Sequence, residues 1–396
     1  MNSGRKSILI IHHGQGIGGG LIALLGLIAE LKENNKVEVL SIFDGIAVEY
    51  IRRTGVTVTV PKSRFYMKFY QLCIHSDASY FNIIDSVRNI KSLLLYFLSK
   101  YYFARKELSR IAFNYEVVYL NSTFISDWAM GAKLLKKKVI IHVREPLSKG
   151  LLGFRRRVIR KTIDKYCDQI IAISYDNARR MGLEYKTTVI YDPVVTKNRN
   201  HSEQIQCGNF KNFVYLGGMA RIKGFEQLVE SLEYLNEDVR IYFLGGPSEY
   251  SDSRVKRLVR KSLDPFYKKN KILIKKLKKS EKIIYIGLVD NVFDYYENSI
   301  AVICPFSKPH ASLPILEAYS VGKPVIVSDV RGMDELVDGS NGIFFKNSDP
   351  ESLASKVNEM SLMSRPDYDL MRSAVFNKYR QICERLDSAT SVVARI

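Results

Sequence analysis

Residues 305–337 read PFSKPHASLPILEAYSVGKPVIVSDVRGMDELV, a stretch whose polar side chains fall where they can hold a phosphorylated ligand. An apolar strand is expected at 300–304, followed by a loop carrying His310 and Ser312 and a helix opening near Pro314, with Glu317 in its first turn. The unpaired N–H groups and positive dipole end of a helix N-terminus attract phosphate. A carboxylate one turn in can accept two hydrogen bonds from a ribose diol. His310, Ser312, Leu313 and Glu317 are therefore candidates for holding a phosphorylated sugar nucleotide. A buried-type strand at 325–327 completes a strand-loop-helix-strand unit.

A second cluster lies at 215–225, YLGGMARIKGF, where a strand ending in Gly217 and Gly218 leads through a basic loop into a helix expected at 226–235. A diphosphate gathers charge as a glycosidic bond to it breaks, and cations stabilise that charge. Lys223 is placed for this, with Arg221 as a second cation; the plain alternative is a surface lysine ahead of a helix. Earlier, residues 12–20 read HHGQGIGGG and contain G-x-G-x-x-G at Gly14, Gly16 and Gly19, with Asp44 past the next strand. This also fits a dinucleotide fingerprint, in which glycines admit a pyrophosphate and an acid binds a ribose. His142, Arg144 and Glu145 end the strand expected at 139–143, just before Pro146, which favours extended backbone. Ligands of open α/β sheets bind at that carboxyl end. There His142 can polarise a ligand or pack in the core, and Arg144 and Glu145 can contact a ligand or pair with each other. Asn121, Ser122 and Thr123, after the strand at 117–120, offer further polar contacts.

Leu316-Glu317-Ala318, together with Lys223-Gly224, resembles the donor-binding segment of the retaining glycosyltransferases of family 4, whose fold is GT-B. Members carry two glutamates, the second inside an L-E-A triplet and bound to the donor ribose. Here Glu317 matches the second, while Pro309 occupies the place of the first and His310 is positioned to stand in. The family's G-R-x-x-x-x-K-G motif is matched at Lys223-Gly224, with Gly218 at the arginine position. The resemblance implies an α/β protein of two Rossmann-like domains facing a cleft. Residues 1–195 would form the acceptor-side domain and 196–368 the nucleotide-sugar donor domain, with a C-terminal helix in 369–396 crossing back. It also implies a retaining, hexosyltransferase-like enzyme with no cofactor or metal, which moves sugar from a nucleotide donor to a glycan or lipid-linked acceptor in surface polysaccharide synthesis. By resemblance the catalytic set is His142, Lys223 and Arg221, and the donor is bound by Gly217, Gly218, Lys223, His310, Ser312, Leu313 and Glu317. Gly16, Gly18, Gly19, Arg144 and Glu145 fall on the acceptor side. Two other readings stay open: a non-catalytic GT-B subunit, motivated by Pro309, and an NAD-dependent oxidoreductase using residues 14–19.

Positioning these residues takes two sheets. Short apolar runs alternate with amphipathic segments, the pattern of parallel strands covered by helices. Strands are expected at 7–11, 37–42, 56–60, 117–120, 139–143, 169–173 and 188–191, and again at 213–216, 240–244, 283–286, 300–304, 325–327 and 342–345. A polar linker is expected at 196–212 and a last helix at 369–386. A chain of 396 residues with 46% hydrophobic content exceeds one ordinary core and suits two domains of roughly 100 to 200 residues. Residues 7–29 carry no Asp, Glu, Lys or Arg. His12, His13, Gln15 and the glycines interrupt them, so strand-turn-helix is expected there and not a signal peptide or membrane span. Five scattered cysteines without a C-x-x-C pair indicate neither a disulfide framework nor a zinc site, and a reducing cytoplasm is the simplest compartment. The D-x-D at 367–369 reads as a helix N-cap, and the adjacent His12 and His13 are expected on opposite faces of a strand.

A formal net charge of +19 asks for an anionic partner. Residues 149–161 interleave Arg155, Arg156, Arg157, Arg160 and Lys161 with Leu151, Leu152, Phe154, Val158 and Ile159, an amphipathic helix able to rest on anionic lipid at the inner membrane surface. A second basic tract covers 254–282. Solvated helix faces are the alternative, and no nucleic-acid motif accompanies the charge.

Overall fold

Seven parallel strands form the first sheet: β1 (Ser7–His12), β2 (Lys36–Ser41), β3 (Thr57–Thr59), β4 (Val117–Leu120), β5 (Lys138–Val143), β6 (Gln169–Ala172) and β7 (Thr187–Val189), in the order β3-β2-β1-β4-β5-β6-β7. Six more form the second: β8 (Lys211–Tyr215), β9 (Val239–Leu244), β10 (Ile283–Gly287), β11 (Ala301–Cys304), β12 (Val325–Ser328) and β13 (Gly342–Phe345), in the order β10-β9-β8-β11-β12-β13. The structure, a computed structural model, describes residues 5–74, 83–148, 153–194, 211–246, 265–289, 291–309, 313–385 and 387–396. By its contacts the chain divides into two compact units, Met1–Val195 with Leu386–Ile396, and Thr196–Arg385. Every expected strand is present with slightly shifted ends; β8 begins at Lys211, inside the stretch expected as linker, the rest of which lies outside the described residues.

Successive side chains on a strand point to opposite faces, so an unbroken apolar run signals burial on both. Along β1, Leu9 and Ile11 enter one core with Val118, Leu120, Ile141 and Trp128, while Ile8 and Ile10 enter another with Tyr119, Ile140 and the helix Gly19–Lys32. The terminal helix Ala389–Ala394 joins this second core through Ala389, Val392 and Val393, and Glu30 accepts the Thr390 N–H at 2.9 Å. In each sheet the strand order reverses beside the first strand, between β1 and β4 and between β8 and β11. Crevices for ligands open at the carboxyl ends of strands at such a switch point.

The last long helix is Arg365–Arg385, in the second unit, and it takes Pro366 into its first turn, where a missing N–H needs no partner. Ser364 Oγ accepts the Asp367 N–H at 3.3 Å, so the serine is the cap and Asp367 lies inside the first turn, correcting the expected N-cap role of the D-x-D. Tyr368 donates its hydroxyl to Ile300 O at 2.8 Å, and the Phe376 ring fills the space that a side chain at Gly322 would need. These contacts seat the helix beside Leu313–Ser320. No helix of the described residues is long and apolar enough to cross a membrane.

Candidate functional site

Both candidate segments of the second unit leave the sheet at its switch point, one after β8 and one after β11. Past β8, Gly218 adopts a φ of +53° and donates its N–H to Leu244 O at 3.0 Å. A Cβ there would lie 2.6 Å from Gly246 O, so backbone contact alone demands glycine. The chain continues through the tight turn Arg221–Lys223 to Gly224, whose φ is +82° and whose absent side chain leaves room for the Pro305 carbonyl. Gln227 Nε2 donates to that carbonyl at 2.5 Å. Ser307 donates its N–H to Ile222 O at 3.2 Å and its hydroxyl to Arg221 O at 2.9 Å. The loop after β11 is thereby tied to the turn that carries Lys223.

Glu317 is the fifth residue of the helix Leu313–Ser320, so it opens the second turn, not the first as the sequence led us to expect. Its Oε2 accepts a hydrogen bond from the Tyr296 hydroxyl at 3.1 Å. Burial raises the Glu317 pKa, while the tyrosine bond and the positive charge of Lys223 oppose that rise. Burial also pushes Lys223 down to about 8, with Cys304 and Glu317 partly holding its charge. Lys223 Nζ lies 5.0 Å from the Phe306 ring centroid. Arg221 is placed differently: its Nε bonds Glu226 Oε2 at 3.3 Å and its guanidinium lies 4.5 Å from the Phe266 ring centroid. Lys223 and Glu317 are thus brought together, whereas Arg221 is held by an acid of its own helix-turn. Leu313 is the first helical residue; His310 and Ser312 lie outside the described residues.

In the first unit, His142 on β5 is buried, and its Nδ1 meets the Tyr119 hydroxyl at 2.8 Å and Arg144 Nη2 at 3.3 Å. An arginine can only donate, so Nδ1 accepts and Nε2 carries the proton of a neutral ring. Burial and the Arg144 charge hold its pKa well below the usual histidine range. Arg144 also donates Nε to Asn121 Oδ1 at 3.0 Å and Nη1 to Asp192. Asn121 Nδ2 in turn meets His12 Nδ1 at 3.2 Å. Burial, His13 and Arg144 push His12 down to about 3. The Nε2 atoms of both His12 and His142 are buried without a hydrogen-bond partner. Glu145 accepts from Ser122 Oγ at 2.7 Å, from Thr123 Oγ1 at 2.8 Å and from the Thr123 N–H at 3.2 Å.

Two expectations are corrected here. Arg144 and Glu145 do not pair with each other, because each finds a partner on another segment, Asp192 and Ser122. His12 and His13 do not face opposite ways: β1 ends at His12, alternation stops, and the two rings stack at 5.8 Å with 18° between planes. Gly16, Gly18 and Gly19 have open space where a side chain would stand. Asp44 accepts the Gly45 N–H at 2.9 Å within its own turn. Asp192, Tyr119 and Tyr296 escaped sequence reasoning. Tyr119 sits in an apolar strand and reads as core, Tyr296 lies in the polar stretch FDYYEN with no motif to mark it, and the only hint of Asp192 is an acid before Pro193 at a strand's carboxyl end.

The basic tract forms the helix Phe154–Tyr166, with residues 149–152 outside the described part. Ile159 and Ile163 are buried in the core with Val158 packed against it, so the apolar side expected to meet lipid is turned inward. Arg155, Arg156 and Arg160 each donate to a backbone carbonyl, of Ile74, Arg180 and Gly182 respectively, at 2.7 Å. Phe154, Arg157 and Lys161 remain exposed.

Residues 210–361, which hold both donor-side segments, match the family model described as Glycosyl transferases group 1. Among solved structures, Anabaena Alr3699/HepE in complex with UDP and glucose aligns over 99% of each chain with a TM-score of 0.73 at 16% identity. The fold is GT-B. A glycosyltransferase from Rickettsia africae aligns at a TM-score of 0.67 and 16% identity, covering 99% of this chain and 96% of that one. The lipopolysaccharide outer core galactosyltransferase WaaB in its apo form aligns at 0.61 and 15%, covering 99% and 100%. No curated protein matches the chain in sequence. The domain match and the GT-B fold together support a glycosyltransferase.

Proposed function

We propose that this GT-B protein is a retaining, hexosyltransferase-like glycosyltransferase that moves a sugar from a nucleotide donor to a glycan or lipid-linked acceptor in surface polysaccharide synthesis, at the cytoplasmic face of a membrane. The observation that carries this reading is the tie between the two loops at the switch point, Ser307 to Arg221 and Ile222, which sets Lys223 within electrostatic reach of Glu317 in the unit that matches group 1 glycosyl transferases. Binding of UDP and glucose by HepE supports a nucleotide-sugar donor. In the proposed mechanism Glu317 takes the ribose diol, and Lys223 with the N-terminus of Leu313–Ser320 takes the diphosphate. The bond from the sugar's anomeric carbon to the diphosphate oxygen breaks, the acceptor hydroxyl oxygen bonds that carbon on the same face, and the hydroxyl proton passes to the departing diphosphate. His142, a neutral ring with its Nε2 proton unpaired, is the proposed hydrogen-bond donor on the first unit.

Sugar nucleotides raise the melting point of a protein that binds them by mass action, so a thermal-shift panel identifies the donor. Turnover of that donor, with Glu317→Ala weakening its binding and His142→Asn lowering transfer at unchanged donor affinity, is the expected result. Binding without any turnover favours a second reading, a non-catalytic partner subunit, for which Pro309 in place of the first family glutamate is the motive. Stabilisation by NAD and by no sugar nucleotide overturns both.

A further inference from the structure

Helical residues that face water are ordinarily polar, yet the rod built from Ile83–Leu98, the wide turn Ser99–Phe103 and Ala104–Ile111 carries apolar residues on two sides. Leu95 and Tyr96 are buried in the core of the first unit, with Ser92 and Ser99 buried beside them. On the other side Ile90 (68% exposed), Leu94 (62%), Leu98 (52%) and Tyr101 (61%) recur at helical spacing and stand in solvent. The adjacent turn Phe65–Phe69 adds the exposed Met67 and Phe69. It is fixed to the rod by the Tyr66 and Ser99 hydroxyls, 2.8 Å apart, and by the parallel rings of Phe65 and Phe103 at 3.9 Å. An exposed apolar stripe of this kind marks a docking face.

The charges around the stripe select its partner. Among the described side chains of 60–106 every exposed charge is a cation: Lys62, Arg64, Lys68, Lys91, Arg105 and Lys106. The neighbouring acid, Glu107, is buried, where it accepts the N–H groups of Lys62 and Ser63 at 2.9 and 3.2 Å. Apolar side chains ringed by lysine and arginine, with tyrosine at the margin, match the layering of an anionic bilayer, whose charged headgroups overlie hydrocarbon. A protein groove offers apolar cover without requiring a uniformly cationic rim.

We infer that this face, centred on Ile90, Leu94, Leu98 and Tyr101, docks the protein on an anionic lipid bilayer. The inference rests on the part of the proposed function that places the protein at a membrane surface and is independent of the transfer chemistry. It moves the contact from helix Phe154–Tyr166, whose apolar side is core, to the rod whose second apolar side is exposed.

The test is sedimentation of the purified protein with vesicles of phosphatidylcholine alone or mixed with phosphatidylglycerol. Wild type should bind the anionic vesicles, and Ile90→Glu with Leu94→Glu should lower the partition coefficient by about ten-fold or more. Its melting midpoint should stay at the wild-type value, because both side chains are exposed. Lys91→Gln with Lys106→Gln should bind more weakly and with a shallower salt dependence. Binding of the Ile90→Glu, Leu94→Glu variant equal to wild type overturns this face. If Arg157→Gln with Lys161→Gln then releases the protein, the membrane reading survives with the contact on helix Phe154–Tyr166. Failure of wild type to bind either vesicle overturns the membrane reading as well, while donor binding, measured separately by calorimetry, is unaffected. A dimer that the double glutamate variant dissociates, in a protein that binds no vesicle, assigns the face to a second copy and also overturns the inference.

Discussion

Tyr296, wholly buried, donates its phenolic O–H to Glu317 Oε2 at 3.1 Å. The bond holds one carboxylate oxygen in a set direction and opposes the rise in pKa that burial causes. A ribose diol needs such an acceptor, oriented and ionised. Glu317→Ala should therefore weaken nucleotide binding by about 1.5–3 kcal/mol, and Tyr296→Phe, which keeps the ring, by about 0.5–1.5 kcal/mol. Titration calorimetry reads both. Unchanged affinity in Glu317→Ala would remove this residue from the ribose role.

Lys223 gives the site a pH signature. Burial brings its pKa down to about 8, so in the unliganded protein the ammonium is lost as pH rises through that value. A bound diphosphate favours the charged form, so a proton is taken up on binding above about pH 8. Donor affinity should be level below about pH 8 and fall as pH rises through it, over a titration from about pH 6.5 to 9.5. Lys223→Arg, charged throughout, should flatten the profile. A wild-type affinity that ignores pH across this window would show that Lys223 makes no contact with the phosphates.

Gly224 should tolerate no side chain. Its φ of +82° is strained for other residues, and the Pro305 carbonyl occupies the space of a Cβ. Gly224→Ala should destabilise the second unit by about 1–3 kcal/mol or more in chemical denaturation. Gly16→Ala, in open space, should change stability by no more than about 0.5 kcal/mol. Equal stability of the two variants would mean that the Gly224 contact does not seat the Lys223 turn.

Arg144 and Asp192 form a nearly buried ion pair, with side chains 8% and 13% exposed. Asp192→Asn leaves a guanidinium without its counter-charge and should destabilise the first unit by about 3 kcal/mol. Arg144→Met combined with Asp192→Asn should recover part of the loss, since an isolated buried charge is worse than none. Denaturation of the single and double variants measures the coupling, and a neutral single variant would show that the pair contributes nothing to stability.

Local pattern was enough to reveal both sheets. Runs such as Ile8-Leu9-Ile10-Ile11 are legible as strands buried on two faces, and glycine before a basic turn marks where a strand hands over to a helix. Lys223 and Glu317 were legible for the same reason, each standing at a fixed offset from a strand end or helix start. Glu317 was misplaced by part of a turn because helix boundaries are set to within only a residue or two by local pattern.

Partners were not legible. Tyr296 finds Glu317, Asp192 finds Arg144, and Ser122 with Thr123 finds Glu145, each across strands or helices far apart in sequence. Periodicity reports which side of a helix is apolar but not what covers it. Helix Phe154–Tyr166 turned its apolar side to the core, whereas the rod containing Ile90, Leu94 and Leu98 kept one apolar side in solvent. The sequence by itself determined the order of strands and helices and the loops that carry the candidate residues, because propensity, alternation and capping act over a few residues. Tertiary structure alone decided which charges meet, which histidines stay neutral and which apolar face is left exposed. Burial and electrostatic pairing act through space, between segments that only the crossover topology brings together.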